Sequence, residues 1–176
     1  EEFEIKHIQV IQMEETERTK QIKQMKYEKE TKQLQQLTDQ MKINPTKEMK
    51  QVEEWSFSLF DSVLFDSNVC YWNTNTSTFD ERILNKKQIV ILIETDNGIK
   101  FGGYVEKQID KVNEMIEDEN TFLFTFKNNQ PKKFDIIDKS KGFKLYLESE
   151  SELFSFGDGD IKVYKLDVDN YYCYWL

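Results

Sequence analysis

The 176 residues suffice for one hydrophobic core with an extension and are too few for two full domains. Net charge is −9 but unevenly placed: residues 1–50 carry ten basic and ten acidic side chains, residues 51–176 carry 14 and 23. The acidic excess makes the C-terminal part a poor candidate for binding phosphate backbone, because sequence-independent nucleic-acid affinity rests on Lys and Arg displacing counterions.

Alanine is absent, so helix propensity must come from Lys, Glu, Gln and Met. Residues 4–43 lack Gly and Pro and predict one long helix. Ile5, Ile8, Ile11, Ile22, Met25, Leu34, Leu37 and Met41 form pairs three or four apart. The heptad phase slips after Met25, and Glu15, Arg18, Lys29 and Lys32 fall on seam positions, which describes an imperfect coiled coil. A helix of this kind pairs with a copy of itself or another chain, or stays solvated as a monomer; self-association into a homodimer is the expectation. Between residues 18 and 32 it is basic, with Arg18, Lys20, Lys23, Lys26, Lys29 and Lys32 against Glu28 and Glu30.

Asn44 as cap and Pro45 at the first helical position predict a second helix, with a stripe of Met49, Val52, Trp55 and Leu59 to dock on a core. The division is therefore a helical extension over 1–44 and a globular domain over 45–176. Beyond the second helix the apolar period moves toward two. Strands are expected at 62–66, 88–94, 99–107, 121–127, 133–137, 143–147, 153–156, 161–165 and 171–175, with a short helix at 79–85. Asp96-Asn97-Gly98 marks a hairpin turn, because Asn-Gly tolerates positive φ. The apolar run at 88–94 predicts a strand covered on both faces. The fold class is α+β, mainly β: an antiparallel sandwich flanked by short helices and preceded by a long one.

Catalytic chemistry finds little support. The sole histidine, His7, lies in the helical extension, away from any nucleophile of the domain. Glu117, Asp118 and Glu119 read as a solvated loop, and Asp158-Gly159-Asp160 as a turn. The spacing of a calcium-binding loop is not met, because no ligand series continues through Lys162 and Tyr164 to a closing Glu. Cys70 and Cys173 are too few for a disulfide framework, lack zinc-ligand spacing and have no basic neighbour to lower their pKa, so inert thiols are expected. No apolar run reaches the roughly 18 residues of a membrane span. Without a charged-then-apolar leader, the expected location is intracellular, cytoplasmic or nuclear. No cofactor and no metal are expected.

Gly102 and Gly103 are two of only six glycines, and they sit side by side within a predicted strand. Adjacent glycines strip side chains from both faces, which weakens a strand unless a neighbour must sit flush there or a bulge forms. Phe101 and Tyr104 flank the gap and can anchor either face.

The order of motifs says more than any one of them. VLFDS at 63–67, Phe79 by a short helix, IVILIETDNGIKFGGYV at 89–105, NTFLFTF at 120–126 and FSFGDGDIKV at 154–163 together resemble the TLDc family over about residues 50–176. That resemblance implies a helix-flanked β-sandwich, an association with protection against oxidative stress and, in several eukaryotic members, binding of the vacuolar proton-pumping ATPase; no accepted reaction comes with the family. Its signature residues fall here on Phe101, Gly102, Gly103, Tyr104, Phe122, Phe124, Phe156, Gly157, Gly159 and Asp160, most of them architectural. Asp158 stands where a third glycine is common. The reading that follows is a non-enzymatic interaction module in an oxidative-stress response, with protein partners such as pump subunits. The alternative is a dimeric nucleic-acid-binding regulator using the basic run.

Overall fold

The structure, a computed structural model, describes residues 17–73, 77–127 and 130–165 together with the backbone of 173–175. It opens with helix α1 (Glu17–Ile43) and helix α2 (Lys47–Ser56); helix α3 (Phe79–Ile83) follows later in the chain. Side-chain pairs one turn apart run along α1: Lys20 with Glu17, Gln24 with Glu28 and Gln35 with Asp39, each adding a few tenths of a kcal/mol.

The first part of α1 is exposed, but Glu30, Leu34 and Thr38, four residues apart, are buried. Leu34, on the expected self-association seam, is thus enclosed by its own chain. Thr38 Oγ1 donates to the Leu34 carbonyl and accepts from the Val63 amide, both at 2.9 Å. That second bond helps explain a departure from the expected strands. Residues 62–66 join no sheet, because they run beside α1 and the Val63 donor is satisfied by a helix side chain.

α2 is capped by Thr46, whose hydroxyl accepts from the Met49 amide at 3.2 Å; Asn44 and Pro45 lie upstream of the cap. The helix ends where Phe57 takes a left-handed conformation at φ 53°. Leu59 therefore lies beyond the helix and is exposed, and the docking stripe rests on Val52 and Trp55.

Two antiparallel sheets complete the fold. The first has the order β1 (Ile89–Glu94), β2 (Lys100–Val105), β4 (Phe122–Thr125), β5 (Lys132–Asp135). The second runs β3 (Met115–Ile116), β6 (Phe143–Leu145), β7 (Glu152–Phe156), β8 (Ile161–Tyr164), β9 (Cys173–Trp175). The Asp96–Gly98 turn joins β1 to β2, with Gly98 at φ +77°. Strand β1 lies at a sheet edge, and Leu92 on it is exposed, so the run at 88–94 is covered less fully than its composition suggests. β3 has no counterpart among the expected strands: two residues give no readable period.

Alternation along the first sheet splits its side chains between two cores. Ile89, Phe101 and Val105 face the second sheet and meet Phe143, Leu145, Phe154 and Phe156. On the other face Tyr104, Phe122 and Phe124 lie under α2, with Val52 2% exposed above them. Trp55 stacks on Phe126 at 6.0 Å and meets the Phe122 ring edge-on at 6.2 Å. Each fully buried aliphatic or aromatic side chain contributes about 1.5–3 kcal/mol, so both cores are needed to offset chain entropy.

Candidate functional site: a groove at the open edge of the sandwich

The Gly-Gly pair serves both faces of β2. A Cβ on Gly103 would stand 2.6 Å from ring carbons of Phe156 on the opposite sheet. One on Gly102 would overlap the Ile91 carbonyl oxygen and come within 3.0 Å of the Phe124 ring. The register places Gly103 opposite Ile91 and Leu123, so the Phe156 ring fills the space that its neighbours' side chains leave. Phe101 packs inward and Tyr104 outward, its hydroxyl 3.4 Å from Ser58 Oγ. Burial raises the Tyr104 pKa.

The same logic shapes the turn between β7 and β8. Gly157 has φ +61° and Gly159 φ +104°, conformations that favour glycine, and a Cβ on Gly157 would overlap the Asp160 carboxylate. The Gly159 amide donates to the Phe156 carbonyl at 3.3 Å, closing the turn. Asp158 points outward to Lys141 Nζ, an ion pair that raises the Lys141 pKa.

This turn forms one wall of an open groove of about 560 Å³; the other is the edge strand β5. Leu123, Phe134, Ile136 and Ile137 supply apolar lining, and Asp138, Asp158 and Asp160 line it with acid against the single cation of Lys141, while the Asp135 carboxylate is turned to Lys133. Phe134 is 48% exposed and Ile137 fully exposed. Asp138 accepts from the hydroxyl and amide of Ser140, which hold its carboxyl below the usual range. Of the signature residues, Gly157 and Asp160 border the groove, while the Phe124 ring is buried under α2 on the other face of the sheet. Phe101, Gly102, Gly103, Tyr104, Phe122 and Phe156 lie in the two cores instead.

Other polar centres hold the fold. Asp118, read from sequence as part of a solvated loop, is buried at 1% exposure, while Glu117 and Glu119 are exposed. Burial alone would raise its pKa. The amides of Lys107 (3.0 Å), Asn120 (3.0 Å) and Glu106 (2.7 Å) donate to its carboxylate and bring the net value below the ordinary one. Asp118 thereby pins the chain leaving β2 to the loop before β4; its spacing to Asn120, typical of a side-chain turn, was the available signal. Lys165 Nζ donates to the carbonyls of Leu147, Glu148 and Glu150 at 2.6–2.7 Å, and burial lowers its pKa.

Arg82 and Glu30 form a buried ion pair at 2.7 Å. Glu30 also accepts from the Tyr71 amide (3.3 Å) and the Thr78 hydroxyl (3.2 Å), and the Tyr27 ring lies 4.2 Å from the guanidinium carbon. Arg82 is the only arginine outside the long helix, a composition signal that pointed to a special site.

Cys70 is buried, and desolvation raises its pKa, which disfavours the reactive thiolate. His7 and the Cys173 side chain lie outside the described residues. Among those described, no group of three or more His, Cys, Asp and Glu gathers as metal ligands would, and no helix is long and apolar enough to cross a membrane.

The basic run does not form one stripe. Each three-residue step falls about 60° short of a full helical turn, so the charges from Lys20 to Lys32 wind around α1. Lys20 is paired with Glu17, and Lys26 Nζ sits 5.0 Å over the Tyr71 ring.

Two facing antiparallel sheets, nested through a paired glycine gap and flanked by helices, define a helix-flanked β-sandwich whose open edge carries an apolar groove. A sequence profile described as the TLDc domain matches residues 62–174, well over half of the chain. The chain belongs to the TLDc-domain family. No curated protein and no solved structure matched it in parallel comparisons.

Proposed function

We propose that the chain is a non-enzymatic protein-interaction module of the TLDc family acting in the oxidative-stress response, with subunits of the vacuolar proton-pumping ATPase among its partners. The observation that carries the interaction reading is the groove: the signature residues Gly157 and Asp160 lie on it, opposite the edge strand β5. Beside them Phe134 and Ile137 leave apolar surface open to water. The stress response and the pump are what family membership suggests. A second copy of the chain is the partner proposed for the free part of α1, where Ile22 and Met25 are exposed.

Two measurements test this reading. Tagged protein passed over isolated pump subunits should be retained at physiological salt; absence of retention contradicts the pump assignment. Cells lacking the protein should survive peroxide less well and recover with the wild-type chain; unchanged survival contradicts the stress-response role.

A further inference from the structure

We infer that the groove receives an extended segment of a partner protein, added as a further strand along β5, whose groove-facing alternate positions carry apolar residues together with Lys or Arg. The inference rests on the interaction reading above and specifies the chemistry of that site. Strand β5 ends its sheet, pairing through Phe122↔Asp135, Leu123↔Phe134, Phe124↔Lys133 and Thr125↔Lys132, so its other edge has no strand partner among the described residues. An added strand would satisfy those backbone groups and send every second side chain toward the face that Phe134 occupies. That face opens on the groove, whose 560 Å³ is in the range that encloses several side chains.

Charge selects among apolar segments. Asp138, Asp158 and Asp160 line the groove against Lys141 alone, and Lys141 is already engaged by Asp158. Lys133, on β5 itself, is turned to the other face, its Nζ 4.4 Å from the Phe122 ring centroid and 3.9 Å from Asp135. Lys132 and Lys133 guard the edge against indiscriminate pairing, as edge lysines do. A segment bearing Lys or Arg gains from the acidic lining, and one bearing Asp or Glu is repelled by it.

The test uses the whole chain and three short fluorescein-labelled peptides. In one, Ile and Lys take turns at every second position with Thr between them; in the second, Glu replaces Lys; the third has the first peptide's composition with all Lys in one block. Anisotropy titrations should rank the alternating Lys peptide at least about tenfold tighter than either control, since register and charge must both match. Ile137→Ser and Asp158→Lys, both on exposed positions and both checked for unchanged thermal melts, should each weaken it several-fold. Amide shifts in labelled protein should move at 132–138 and 157–161. Equal affinity for the blocked peptide, affinity unaltered by both substitutions, or shifts confined elsewhere would overturn the inference. Pump retention unaffected by the same substitutions would remove the groove as the docking site and leave the interaction module intact. Peptide binding without pump retention would keep the groove and remove that partner.

Discussion

Gly103 is where one missing methyl group decides the spacing of two sheets. Gly103→Ala places a Cβ 2.6 Å from the Phe156 ring, and the ring is boxed in by Phe143 and Phe154 at 5.0 and 6.0 Å. Overpacking of this kind costs about 1–3 kcal/mol. Urea denaturation should show that loss, and combining the change with Phe156→Leu should cost less than the two separately; strict additivity would mean that the contact is not shared. Asp118 is the opposite case, a side chain whose presence holds the backbone. Its folded pKa is depressed, so its stabilisation is present above the ordinary carboxylate value and is lost as pH falls through the folded value. Asp118→Asn should destabilise the protein by about 2–4 kcal/mol at neutral pH, with amides left facing a poorer acceptor. The gap between wild type and variant in thermal melts should close below about pH 4. A gap that stays constant down to pH 2 would contradict the linkage.

At the scale of elements, strands were legible where aromatic and aliphatic residues ran together between turn signals, as in β4 and β7. The reason is that such residues fit a pleated surface covered on both faces. The docking of α1 was not legible. Its apolar residues suggested a seam for another chain, but the contact that fixes its second half is an ion pair, Glu30 with Arg82, between residues far apart in sequence. Periodicity reports which face is apolar and says nothing about which charge will be desolvated. The path of residues 62–66 was missed for a related reason, since Thr38, a helix residue, satisfies the backbone that a strand would have. The ion pair yields its own prediction. Glu30→Gln or Arg82→Met alone should cost about 3–5 kcal/mol, because the partner is left buried and uncompensated. The double change should cost less than the sum, and proteolysis within α1 should quicken in each single variant. Single variants that melt and resist protease like the wild type would show that the pair does not hold the helix.

The molecule as a whole joins a core built on aromatic rings to an edge that is left open. The signature residues divide accordingly. Phe101, Gly102, Gly103, Tyr104, Phe122, Phe124 and Phe156 build the interior, and Gly157 and Asp160 reach the groove with Gly159 in the turn between them. Sequence supplied both sets as one group; their separation depends on the turn between β7 and β8, which carries Gly157 and Asp160 beyond the sheet that holds Phe156. The groove's own Phe134 and Ile137 carried no sequence signal, because an exposed apolar residue in a strand reads the same as a buried one. The most direct test of the account is peroxide survival in cells whose only copy carries Phe134→Ser with Ile137→Ser. These residues are half-exposed and fully exposed, so the variant should fold and accumulate normally. The account predicts that it fails to restore survival; a variant that protects cells as well as the wild-type chain would contradict it.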